Sequence, residues 1–333
     1  MGIAILWVIL LHFGVKLPSA LYLIQLIGYG GVDIFFFSSG IGCYYSYSRD
    51  RNPASFLKRR FKKIMPTYII FIVVWCIYRV VELGMDFPTV LGNMFCIQNY
   101  TGKGGEFNWY IGAMWVSYLL TPYFVEFVEK IKNPIHYLFF TIFLILFSIP
   151  FWNVPSLLIA YSRIPIYFIG ITFAKYSKYV DVKIPLKTVV CMTVFSVIGL
   201  VALFYTYFEK SDLLWNFGMW WYPFILIAPT ICIYLSFISR LFEKNIIGRK
   251  AVKGISFIGN YTFELFLVHA FIFEVLRRYI NEHHPVHAEL WFISIPFVAL
   301  GTFLLNRLTC EFRKFYKKFF IKRITENIDK STE

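Results

Sequence analysis

The chain has 333 residues, 58% hydrophobic and 16% charged, with 38 Phe, 23 Tyr and 9 Trp and a mean hydropathy of +0.62. Soluble domains run at roughly 45–50% apolar and about 25% charged, so a disordered chain, a disulfide-framework secreted protein and an ordinary cytosolic enzyme are excluded. The formal net charge of +14 would point to nucleic acid in a soluble protein, but polytopic membrane proteins also collect Lys and Arg on their inner side.

Ten apolar segments can be marked, at 2–15, 30–48, 65–85, 109–128, 135–152, 156–174, 188–207, 217–238, 255–276 and 290–306. A membrane helix needs about 20 residues, so ten of them take about 200 and leave only short connections. With the N-terminus placed inside, alternate loops and the tail after 306 hold most of the 33 Lys and Arg. The outer loops hold only Lys16, Lys103, Lys210, Arg277 and Arg278. That bias predicts an all-α polytopic membrane protein of about ten transmembrane helices with both termini cytoplasmic. A single membrane domain over 1–310 is followed by a basic cytoplasmic tail, 311–333. Pro122, Pro150, Pro165, Pro223, Pro229 and Pro296 fall in or beside the later segments and predict kinks or breaks.

Ionisable groups inside apolar segments are costly, so those present are functional candidates. In the first segment His12 stands about 16 Å of helix rise from the chain start. Its imidazole can accept or donate a proton near neutral pH, or can simply be a packing group. In the second segment Asp33 follows Gly30 and Gly31, where a solvated cap is expected. Next comes FLKRRFKKIMP over 56–66, a cationic run before a span. It suits either a topology anchor on anionic lipid or, through Arg59 and Arg60, bidentate contacts to a phosphorylated ligand. Arg79 and Glu82 lie in the third segment. Trp109 and Tyr110 open the fourth, as an interface belt or as faces for stacking on sugar rings. Arg163 lies in the sixth, and Glu264, His269 and Glu274 in the ninth. The six cysteines lie far apart, without a C-x-x-C pair, and read as packing residues rather than a disulfide framework or a zinc site. No metal is expected. His283, His284 and His287 read as a surface cluster.

Six blocks in order resemble the membrane acyltransferase-3 family, whose members include O-acetyltransferases of bacterial envelope polysaccharides. They are GIAILWVILLH (2–12), GVDIFFFSSG (31–40), the basic run (56–66), WYIGAMWVSYLLTP (109–122), the weaker RIPIYFIG (163–170) and GNYTFELFLVH (259–269). The resemblance implies a multi-pass enzyme of the bacterial inner membrane that moves an acyl group, usually acetyl, from acetyl-CoA to a hydroxyl. Acetyl-CoA enters as co-substrate, with no resident cofactor. His12 matches the family's catalytic histidine, as general base or as nucleophile. Arg59 and Arg60 match its basic motif and are expected to bind the donor. Asp33, Trp109, Tyr110, Arg163, Glu264 and His269 are expected to support the site or face the acceptor. The expected partners are the lipid bilayer, a glycan or lipid-linked sugar acceptor, and a separate periplasmic or extracellular transferase chain if transfer is completed outside. Nucleic acid is not expected.

Two departures accompany the resemblance. No soluble hydrolase-like domain is appended. Met1 also occupies the position eleven residues before His12 where the family usually has Arg or Lys. Together with a first segment of about 21 Å against a hydrocarbon core of about 30 Å, this leads to the expectation that further residues precede Met1. The rival reading of the whole chain is a secondary transporter of a glycan or its precursor.

Overall fold

The computed structural model describes residues 1–101, 107, 109–151, 154–177, 184–209, 220–283 and 288–332. His284 and His287 of the expected histidine cluster lie outside these residues. Most of the described residues are helical, and no strand occurs among them. The chain divides into two compact units. The first comprises Met1–Leu11, Lys16–Lys58 and Leu91–Asn260; the second comprises His12–Val15, Arg59–Val90 and Tyr261–Glu333.

The first unit contains α1 (Gly2–His12, up to Leu11), α2 (Ser19–Leu26), α3 (Gly30–Ser48) and the start of α4 (Pro53–Leu83). After the second half of α5 (Phe87–Met94) come α6 (Trp109–Lys130), α7 (Ile135–Phe147), α8 (Pro155–Tyr161), α9 (Ile164–Ser177), α10 (Leu186–Glu209), α11 (Phe224–Phe242) and α12 (Ile246–Asn260). The second unit holds His12 at the end of α1, the rest of α4, the first half of α5, α13 (Thr262–His283) and α14 (Ala288–Thr332).

Helix underlies all ten expected segments, but among the described residues fewer than ten helices are long and apolar enough to cross a membrane. Six qualify: Pro53–Leu83, Trp109–Lys130, Ser156–Ser177, Leu186–Glu209, Phe224–Phe242 and Glu289–Lys318. The pair Ile246–Asn260 and Thr262–Ile280 makes a seventh if it counts as one span. The shortfall has physical reasons. α1 has 11 residues and α7 has 13, against about 20 for a full span. α3 has 19 residues, but its glycines, serines and Asp33 dilute its apolar character.

Two boundaries differ from expectation. The first helix stops at His12 rather than reaching residue 15; Gly14, Lys16 and Pro18 follow. The third begins at Pro53, twelve residues upstream of the marked segment. Asn52 Oδ1 accepts the Ser55 amide at 2.9 Å and Pro53 follows it, a side-chain cap with proline at the first helical position. The cationic run therefore rides on the first turns of α4. Lys and Arg are good helix formers, so nothing stops the helix there. Among the prolines, Pro150 lies in a short 3₁₀ turn after α7, Pro165 lies at the start of α9, and Pro223 precedes α11. Pro122, Pro229 and Pro296 lie inside helices.

α3 is the central helix of the first unit, with Val32 to Phe37, Gly40, Cys43, Tyr44 and Tyr47 buried. It packs most extensively on α9, and also on α6 and α11. The α3–α9 crossing needs glycine on both sides. A Cβ on Gly40 would meet the Tyr167 carbonyl oxygen at 2.3 Å, and one on Gly170 would meet that of Phe37 at 2.2 Å. Small residues allow this backbone approach, where dispersion rather than the hydrophobic effect holds helices together in lipid. Lys175 of α9 ties down the end of α6, donating to the carbonyls of Val128 at 2.6 Å and Ile131 at 2.9 Å. A cation on the last carbonyls of a helix satisfies acceptors that have no intrahelical partner.

In the second unit α13 packs on α14. Phe13, Phe273, Trp291 and Phe292 form an edge-to-face aromatic cluster. Arg79 of α4 pairs with Glu274 of α13 at 3.1 Å, and Trp75 donates to the same carboxylate at 3.2 Å. The Arg79 guanidinium also lies 4.8 Å from the Trp75 ring centre. Arg79 and Glu274 are thus tie points between α4 and α13.

Candidate active site

The nine candidate residues fall into groups that follow the two units. His12, Arg59, Arg60, Glu264 and His269 belong to the second; Asp33, Trp109, Tyr110 and Arg163 belong to the first.

His12 is the last residue of α1 and is half-buried. His269, in the middle of α13, is fully buried. The fold brings these two rings together across 257 residues of sequence: His12 Nδ1 lies 3.1 Å from His269 Nε2. His269 Nδ1 lies 2.7 Å from the carbonyl oxygen of Leu265, one turn back on its own helix. The rings of Phe266 and Phe273 meet His269 edge-on at centroid distances of 5.8 and 5.7 Å. Arg277 reaches the carbonyl oxygen of His12 at 3.5 Å. Glu264 sits elsewhere on α13 and accepts from Asn306 of α14 at 3.2 Å. Arg59 is exposed and Arg60 half-buried on the first turns of α4.

In the first unit Asp33 is buried, 2% exposed, in place of the solvated cap expected for it. Its Oδ1 lies 3.5 Å from Nε of the fully buried Arg163. The short break between α8 and α9 places Arg163 where Nη1 donates to the Ile159 carbonyl at 3.2 Å and to Ser162 Oγ at 2.9 Å. The guanidinium lies 5.4 Å from the ring centres of both Trp109 and Trp221, within cation–π range. Tyr110 packs its ring against Phe35 and Phe36 of α3. Asp33, Arg163 and Trp109 are therefore one assembly, with Tyr110 adjoining through Trp109.

A family model described as an acyltransferase domain, Acyl_transf_3, matches residues 2–307. The chain belongs to the acyltransferase-3 family. No curated protein and no solved structure matches it. The matched region of this acyltransferase contains all nine candidate residues and stops within α14. Its apolar helices and its family together make it a multi-pass membrane enzyme.

Acyl transfer needs a group that removes a proton from a weak nucleophile or that itself takes the acyl group. The imidazole pair is the arrangement in this acyltransferase suited to both. Among the described residues, no group of three or more His, Cys, Asp or Glu is placed to hold a metal ion. Sequence reasoning missed Trp221, Ser162, Trp75 and Asn306, which complete the buried and part-buried polar groups. Trp221 and Trp75 look like ordinary span residues, and Ser162 and Asn306 carry no charge to mark them.

Proposed function

We propose that this acyltransferase moves an acyl group, most simply acetyl, from acyl-CoA to a hydroxyl of a cell-envelope or exopolysaccharide sugar, working in the bacterial inner membrane with both termini in the cytoplasm. The observation that carries the reading is the half-buried His12 imidazole bonded to a fully buried second imidazole. In the base route His12 takes the proton of the sugar hydroxyl as its oxygen attacks the thioester carbonyl. The new C–O bond forms, the C–S bond breaks, and the departing thiolate receives that proton to give free coenzyme A. In the nucleophile route the His12 nitrogen first takes the acyl group with loss of thiolate. The hydroxyl then takes the acyl group from nitrogen, and its proton goes to the thiolate.

Coenzyme A carries several phosphate charges, and Arg59 and Arg60 on the exposed start of α4 are assigned to them. Asp33, Arg163, Trp109 and Tyr110 are assigned to support of the first unit and of the acceptor side. The acceptor is a glycan or a lipid-linked sugar, and a separate envelope transferase chain completes transfer where the acceptor lies outside.

The test is incubation of the purified full-length protein in bilayers with acetyl-CoA, reading free thiol, joined to mass spectrometry of surface glycans from cells with and without the protein. Protein-dependent thiol release and loss of O-acetyl groups in the deletion are expected. Intact acetyl-CoA together with altered glycan export would replace this reading with the transporter.

A further inference from the structure

The hydrogen bonds around His269 determine which nitrogen of His12 can act. A backbone carbonyl only accepts, so the 2.7 Å contact between Leu265 O and His269 Nδ1 requires the proton on Nδ1. A neutral His269 then has a bare Nε2, which is an acceptor. His12 Nδ1, at 3.1 Å, must supply the proton of that bond. With its one ring proton on Nδ1, neutral His12 presents a bare Nε2 lone pair, and Nε2 is the atom that both routes of acyl transfer need. We infer that His269 is a positioning residue: through the chain Leu265 O, His269, His12 it holds His12 in the Nδ1–H tautomer with Nε2 free for chemistry. The inference deepens the acyltransferase reading and rests on it for the catalytic consequence, but not for the tautomer.

Three features of the fold serve this role. The bond to Leu265 is local, from a side chain to the carbonyl four residues back, so α13 sets the proton position on His269 by its own geometry. The edge-on rings of Phe266 and Phe273 hold the imidazole plane, and Phe273 is itself wedged against Phe13 and Trp291. The orienting group is also neutral. A carboxylate would place a charge beside His12; a second imidazole fixes the tautomer without one, which suits a site inside an apolar bundle. When Nε2 takes up a proton or an acyl group, the positive charge on His12 strengthens the Nδ1–H bond to His269.

The experiment is ¹⁵N NMR of the full-length protein with labelled histidine, in bilayers and without substrate. Protonated and bare ring nitrogens differ in shift, and His12 is assigned by difference from H12Q. In the wild type a protonated Nδ1 and a bare Nε2 are expected; a protonated Nε2 overturns the proposal. His269→Phe fills the space but offers no acceptor. It should move His12 toward the Nε2–H form and lower kcat about 10²-fold with the KM for acetyl-CoA within about twofold. His269→Gln, whose amide oxygen can accept near the lost Nε2, should keep the Nδ1–H form and recover at least about tenfold of the kcat lost in His269→Phe. An unchanged His12 spectrum in His269→Phe, or a Gln variant no better than Phe, overturns the proposal. If the wild type shows the expected tautomer but releases no thiol from acetyl-CoA, the donor reading has failed and the positioning role of His269 stands.

Discussion

Arg163, in the break between α8 and α9, and His269, within α13, are both fully buried polar side chains, one in each unit, and the fold satisfies them differently. Arg163 carries a charge, and its surroundings answer that charge: the Asp33 carboxylate at 3.5 Å, the end of α8, and two indole rings. Even so, Asp33 Oδ2 and Arg163 Nη2 make no hydrogen bond among the described residues. His269 needs no counter-charge; it is satisfied at one nitrogen by its own helix and at the other by His12. The difference teaches which kind of buried polar group is free for chemistry. An ion pair in an apolar interior is committed to holding charge, since losing either partner strands the other. A neutral imidazole pair is stable in the same surroundings and leaves one nitrogen of the half-buried partner for proton or acyl transfer.

The sharpest way to break this comparison is at His12. His12→Ala should reduce acyl transfer by about 10²–10⁴-fold while the protein still inserts and folds, with at most the modest stability loss of one unpaired buried acceptor on His269. Near-normal transfer by a folded His12→Ala protein would move the chemistry elsewhere.

Arg163→Ala should show the opposite pattern, with stability lost before any specific catalytic property. Removing one partner of a buried pair costs about 3–5 kcal/mol, read as a lowered midpoint of thermal unfolding and poor recovery from membranes. Combining it with Asp33→Asn should restore part of that loss, because the stranded carboxylate is then gone. A single Arg163→Ala variant as stable as wild type, but selectively impaired toward acceptor, would turn the pair from support into an acceptor site.

The smallest expected effect is at Arg59 and Arg60. Replacing both with Lys keeps the charge and removes the planar fork, so coenzyme A affinity should fall about three- to tenfold with kcat little changed. Unchanged affinity in a direct binding measurement would leave these residues as an anchor on anionic lipid.

Much of the frame was legible from composition. Helix at all ten apolar segments follows from runs of apolar residues that only internal backbone hydrogen bonding can satisfy in lipid. The count of spans was less legible. Segment length in sequence does not reveal that α1 stops at His12, or that α3 is too rich in small and polar residues to qualify by apolar character. Asp33 and Arg163 could each be flagged as buried-charge candidates, but their pairing over 130 residues could not. The aromatic flank was half visible: Trp109 stood in a motif, while Trp221 looked like any span residue.

The sequence by itself determined the solvent the protein folds in, the family it belongs to, and which few polar residues are too costly to be incidental, because these depend on composition and on short ordered blocks. Only the tertiary structure decided that His12 meets His269, that Arg163 meets Asp33 between two tryptophans, and that Gly40 and Gly170 let α3 and α9 touch backbone to backbone. The physical reason is that those contacts join residues far apart in the chain. Hydrogen-bond partnership and close approach depend on packing, which no local pattern encodes.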